Sequence, residues 1–136
     1  MKVIIITLVL LSVATSVSSY PWKNCPGQDT SRLEVTDVTV DPVPIPKGKP
    51  CKFGVKGNAK DNLNQKNGRM DVYNAGTRFF STAVGGSYSV SQGGLYDYSL
   101  SYTIPSFVPP GEYEVRFSFI DTNGQTFTCT SIIAQF

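Results

Sequence analysis

The sequence predicts an all-β chain, an antiparallel sandwich or barrel of about seven strands. Three observations predict it. Apolar and polar residues alternate strictly over two long stretches in the last third. Asp121-Thr122-Asn123-Gly124 between two such stretches is a hairpin turn, with Asn-Gly supplying positive φ at little cost. No long stretch carries helical periodicity, and 12 Gly and 9 Pro punctuate the 136 residues.

In chain order, Leu33 and Val35, then Val38 and Val40, read as a strand whose phase slips near Thr36-Asp37. A slip of one residue predicts a bulge or a strand that changes sheet. The segment Asp41-Pro42-Val43-Pro44-Ile45-Pro46-Lys47-Gly48 reads as an extended connection outside any sheet interior, because its prolines remove ladder donors. Cys51, Phe53 and Val55 alternate with Lys52, Gly54 and Lys56 as a second strand. Residues 58–68 read as polar and turn-rich. Met70 and Val72, then 77–84, follow as short strands. Gly85 to Gly94, rich in Gly and Ser and free of charge, reads as a flexible loop.

The clearest strands come last. Tyr96, Tyr98, Leu100, Tyr102 and Ile104 alternate with Asp97, Ser99, Ser101 and Thr103. After the break at 105–111, Tyr113, Val115, Phe117 and Phe119 alternate with Glu112, Glu114, Arg116 and Ser118. Phe127 to Ile133 closes the hairpin. Period two turns one side of each strand inward. The inward set is rich in aromatics: Tyr96, Tyr98, Tyr102, Tyr113, Phe117, Phe119 and Phe127. Two readings of that stripe stand side by side. It is the solid core of a sandwich, or it lines a ligand cavity between sheets that splay apart. Tyr leans toward the second, since a buried hydroxyl needs a partner or water.

Composition narrows the chemistry. The chain has no His, so Ser-His-Asp and Cys-His nucleophiles and His-bearing zinc sites are excluded. Asp121-x-Asn123-Gly124 has the start of a calcium loop, but Ile132 stands where the closing Glu belongs. No metal cluster and no phosphate-binding Gly motif is present, so neither metal nor cofactor nor enzymatic activity is expected. The net charge of +2 gives no reason to expect nucleic acid.

That small net charge hides a segregation. Residues 47–69 hold seven bases (Lys47, Lys49, Lys52, Lys56, Lys60, Lys66, Arg69) against Asp61 alone, and acids outnumber bases on both sides. Lysines protect edge strands and solvate loops. The functional alternative is transient docking of Lys47, Lys49, Lys52, Lys56 and Lys60 on anionic headgroups at a membrane surface.

Met1-Lys2, the apolar run Val3 to Ala14 and the small polar residues to Ser19 read as a signal peptide over 1–19, leaving one domain over 20–136. The mature chain then meets an oxidising compartment. Three Cys leave one over: pairing Cys25 with Cys129 would close a loop of about a hundred residues. Cys51 shares the inward parity of Phe53 and Val55, which reads as a buried free thiol; a bridge from Cys51 to a partner chain is the alternative.

Several segments together resemble one family. These are Trp22-Lys23-Asn24-Cys25 after a leader, Val38-Thr39-Val40-Asp41-Pro42, and Pro46-Lys47-Gly48. Later come Tyr102-Thr103-Ile104-Pro105-Ser106, Pro109-Pro110-Gly111-Glu112-Tyr113-Glu114-Val115, and Asp121 to Gly124 before Thr128-Cys129. In order and spacing they resemble the ML lipid-recognition family, which includes phosphatidylglycerol/phosphatidylinositol transfer proteins and the Niemann–Pick type C cholesterol carrier.

The resemblance implies an immunoglobulin-like antiparallel β-sandwich with a hydrophobic cavity between its two sheets. It implies a Cys25–Cys129 disulfide, and that Val115, Phe117, Tyr98 and Leu100 line the pocket. With the stripe, the expected lipid-binding set is Phe53, Val55, Val72, Tyr98, Leu100, Tyr102, Ile104, Tyr113, Val115, Phe117 and Phe119. The family usually carries six cysteines; its internal pair is missing here, and the Gly85–Gly94 segment stands roughly in its place. The expected protein is a monomeric lipid carrier, secreted or in the endosome/lysosome lumen, moving a phospholipid, sterol or fatty acid between membranes. An extracellular adhesion or signalling module with a solid core is the competing class.

Overall fold

The structure, a computed structural model, describes residues 19–136. The expected leader falls outside the described residues, Ser19 excepted. Every regular element among them is a strand: β1 (Lys23–Asn24), β2 (Leu33–Asp41), β3 (Pro50–Ala59), β4 (Leu63–Asn74), β5 (Thr77–Val84), β6 (Tyr88–Val90), β7 (Leu95–Thr103), β8 (Glu112–Asp121) and β9 (Thr126–Gln135). They form two antiparallel sheets. One runs β2-β3-β7; the other runs β1-β9-β8-β4-β5, with β6 also on β4.

The alternation sets the layers. Tyr113, Val115, Phe117 and Phe119 of β8 are buried against Phe53 and Val55 of β3 and Met70 and Val72 of β4 in one core. Phe53 and Phe117 meet across the sheets with ring centroids 4.9 Å apart. The phase slip in β2 is a bulge between Val35 and Asp37. In the β8–β9 turn the Asp121 carboxylate accepts from the Asn123 and Gln125 amides, each at 2.9 Å, and Gly124 takes φ +82°.

Two stretches differ from expectation. Residues 58–68 are mostly strand, with only Lys60 to Asn62 left to turn between β3 and β4. The inward positions of β4 there are Leu63, Gln65 and Gly68, so polarity hid the period. Gly68 must lack a side chain, since a Cβ would sit 2.8 Å from the Phe119 ring. The Gly85–Gly94 segment, expected as a flexible loop, contains β6, whose Tyr88 and Val90 register on Gln65 and Leu63. The proline-rich 42–49 connection stays out of the sheet as expected, but it is bent, anchored by buried Ile45, and has cis bonds at Asp41-Pro42 and Val43-Pro44.

An N-terminal strap crosses from one sheet to the other. Ser19 bridges to Thr39, and the Tyr20 amide donates to the Val38 carbonyl at 2.7 Å. Lys23 and Asn24 then pair with Ser131 and Thr130. Cys25 forms a disulfide with Cys129, Cα–Cα 5.4 Å. Cys51 is buried and free, its thiol 3.8 Å from the Pro42 carbonyl. Burial pushes that thiol above its ordinary range, which keeps it protonated and unreactive.

Candidate functional site

The sheet order leaves two seams where the layers' edges face each other. At one, β9 lies beside β2, and the strap bridges them. There the Tyr20 hydroxyl also donates to the Ile133 carbonyl at 2.6 Å. Arg32, just before β2, donates to buried Asp121 at the end of β8 at 2.6 Å and to Asp61 at 3.1 Å. The Arg32 guanidinium holds the Asp121 carboxyl below the usual carboxylate range.

At the other seam β7 faces the β5–β6 edge of the larger sheet. The Gly86 amide, in the β5–β6 link, donates to the Tyr98 hydroxyl at 2.6 Å. The Gly86 carbonyl accepts from Gln65 at 2.9 Å, and Gln65 in turn accepts from the Tyr96 hydroxyl. Gly86 is thus a hub joining β4, β7 and the link. Gly85 beside it takes φ +69°, and a Cβ there would meet the Tyr98 hydroxyl at 2.6 Å. Burial, with Tyr98 and Tyr88 adjacent, pushes the Tyr96 phenol far up, so it stays a neutral donor. Tyr88 meets Tyr96 edge-to-face and Tyr98 at a tilt, with ring centroids 5.4 and 5.3 Å apart, closing this part of the seam with aromatic rings.

Past Tyr98 the seam loosens. Of the expected lining set, Phe53, Val55, Val72, Ile104, Tyr113, Val115, Phe117 and Phe119 are buried in the one core. Tyr98, Leu100 and Tyr102 are only half-buried against it. Phe80 of β5, registered on Val72, is half-buried in the same way, and Phe79 beside it is exposed. Phe79, Phe80, Tyr88, Gln65 and Gly86 were absent from the expected site. The pairing of β5 and of β6 with β4 is what brings them together, and no short-range pattern carries those pairings.

The five lysines do not form one positive face. Lys52 lies between Asp41 and Ser101 in register, and Lys56 between Asp37 and Asp97. Lys60 pairs with Glu34 at 3.3 Å. Lys47 donates to the Val108 carbonyl at 3.0 Å. Lys49 is exposed in the β2–β3 connection. No group of three or more Cys, Asp and Glu able to hold a metal occurs among the described residues.

A family model for the ML domain matches residues 19–136. The chain belongs to the ML domain family. A Dictyostelium discoideum relative named as a phosphatidylglycerol/phosphatidylinositol transfer protein is 23% identical over 135 residues, covering 94% of this chain and 93% of that protein. A Niemann-Pick type C2 protein from the Japanese carpenter ant superposes with TM-score 0.61 at 13% identity, over 85% of this chain and 98% of that one. Chicken MD-1, solved with lipid IVa, gives TM-score 0.55 at 12% identity, over 85% and 88%. The solved structures share the immunoglobulin-like sandwich. As a member of a lipid-binding and lipid-transfer family, this ML protein is not an enzyme.

Proposed function

We propose that this ML protein carries one phospholipid, sterol or fatty acid between its sheets and exchanges it with membranes as a monomer, in a secreted or endosome/lysosome-lumen setting. The observation that carries the reading is the inner face at the β5–β7 seam, where Phe80, Leu100 and Tyr102 are only partly buried against the core. A tail admitted there completes their contacts. Each methylene moved out of water contributes about 0.8 kcal/mol. The deep residues Val72, Val115 and Phe117 meet the tail's far end, and a headgroup stays at the seam. Phe53 and Phe117 touch across the sheets, so a guest that reaches them has to part the two rings.

The competing reading, an extracellular adhesion or signalling module with a solid core, is favoured by that same contact. Mass spectrometry of the purified protein separates the two. The carrier brings lipid with it, and a fluorescent fatty acid or sterol displaces that lipid. Leu100→Asp reduces loading at least about tenfold, whereas Leu95→Asp, on the outward side of β7, leaves it unchanged. Purification without lipid, and no displacement by any class, would overturn the carrier and favour the solid-core module.

A further inference from the structure

We propose that one end of the sandwich, built by the β2–β3, β4–β5 and β7–β8 connections, docks on a phospholipid bilayer carrying anionic headgroups. The proposal rests on the carrier reading. The register brings the three connections together. Pro50 pairs with Thr103, and the Gly48 amide donates to the Ile104 carbonyl at 2.7 Å, which joins the first connection to the third. Tyr73 pairs with Glu114, Phe79 lies 6.0 Å from the Tyr113 ring, and the Tyr113 hydroxyl donates to the Pro109 carbonyl at 2.8 Å, which joins the second.

This end concentrates apolar surface. Three of the five exposed large hydrophobics among the described residues lie here: Val43 at 61%, Phe79 at 44% and Phe107 at 78%; Leu95 is at the opposite end and Ile133 on an outer sheet face. They stand on three separate segments, two of them stiffened by proline, so little order is lost when they are immobilised. Separate apolar tips set among polar residues suit insertion to the headgroup boundary, where aromatic rings collect. Lys47, Lys49 and Arg78 flank them and form no ion pair among the described residues; of the acids at this end Asp41 registers on Lys52, which leaves Glu112. Phe79 also adjoins Phe80 of the loose seam, so docking here sets the mouth against the bilayer. Lys52, Lys56 and Lys60, by contrast, belong to the outward face and far turn of the smaller sheet, interleaved with acids.

Vesicle co-sedimentation tests the assignment, using phosphatidylcholine with and without phosphatidylglycerol. Phe107→Ser combined with Val43→Ser, both at exposed sites, weakens binding at least about tenfold. Lys49→Gln with Arg78→Gln weakens it only on vesicles containing phosphatidylglycerol. Lys52→Gln, Lys56→Gln and Lys60→Gln together leave it unchanged. Three outcomes overturn the proposal: no vesicle binding by the native chain, full binding by the Phe107/Val43 variant, or loss confined to the triple-lysine variant. Equal binding with and without phosphatidylglycerol overturns its anionic part. Uptake of a fluorescent lipid from dispersion, measured on the same proteins, reports separately on the carrier reading. The Phe107/Val43 variant still loads, whereas a native chain that loads nothing removes the carrier and leaves the vesicle result to decide the docking face.

Discussion

Along the β2–β9 side the sheets are joined by a strap of backbone pairing, a disulfide, and an arginine bound to a buried carboxylate. Along the β5–β7 side they are joined by the four-residue β6–β7 link, by the Gly86 amide donated to the Tyr98 hydroxyl, by the Tyr96 hydroxyl donated to Gln65, and by tilted aromatic rings. Both seams face the same interior, yet one is clamped by a disulfide and an ion pair and the other by neutral hydrogen bonds and ring contacts. A fold that must open does so where its ties are local and few. The family's missing internal disulfide sharpens the contrast: the segment in its place is held by the Gly86 hub and the Tyr88 ring.

The largest way to break that asymmetry is Cys25→Ser with Cys129→Ser. The disulfide spans 104 residues, and loops of that size contribute about 4.7 kcal/mol in the chain-entropy account. Denaturant unfolding should lose most of that amount, and amide exchange in the strap should approach the rate at the β5–β7 seam. Strap protection equal to the native chain's would show that hydrogen bonding alone ties that side.

Next comes Arg32→Gln, which leaves Asp121 ionised and buried; about 3 kcal/mol is the expected loss. Its sign with pH is fixed. The folded pKa of Asp121 is depressed, so its contribution is complete above the unfolded carboxylate value near about 4 and is lost as pH falls through the lower folded value. The native chain therefore sheds this stability below about pH 4, and the variant shows a shallower acid slope. Equal slopes in acid titrations of the two would refute the coupling.

Tyr98→Phe keeps the ring and removes the acceptor for Gly86, with an expected cost of about 1 kcal/mol. It should raise exchange at Gly86 to Tyr88 and speed lipid uptake and release together. Tyr20→Phe, which removes a comparable bond on the strapped side, should leave lipid kinetics unchanged. The smallest effect belongs to Lys52→Gln with Lys56→Gln, exposed and outside any ion pair, within about 0.5 kcal/mol in thermal melts.

Much of the fold was legible because β7 and β8 alternate cleanly and each inward residue is apolar. The first half of β4 was not, because Gln65 faces inward and is satisfied there by Gly86 and Tyr96. β6 escaped notice because three residues among glycines and serines acquire strand character only from β4 beside them. The deep residues of the proposed lining sit on the inner faces that parity assigns. Its margin at Phe79 and Phe80 depends on which strand neighbours which. The company of the charges was the least legible part: a run of bases in sequence becomes, across strands, Lys52 and Lys56 set beside Asp37, Asp41 and Asp97. Local pattern reports a residue's face, whereas its company is set by register.

The clip between Cys25 and Cys129 also imposes an order on synthesis. A chain made from its N-terminus presents Cys25 and Cys51 together long before Cys129 exists. During that interval Cys51 is the sole thiol within the chain that Cys25 can meet. In the finished fold Cys51 is buried in β3 and held protonated, so the wrong partner is out of reach once the two sheets have closed on it. The same core that seals Cys51 therefore leaves Cys129 as the one thiol that the native fold offers to Cys25.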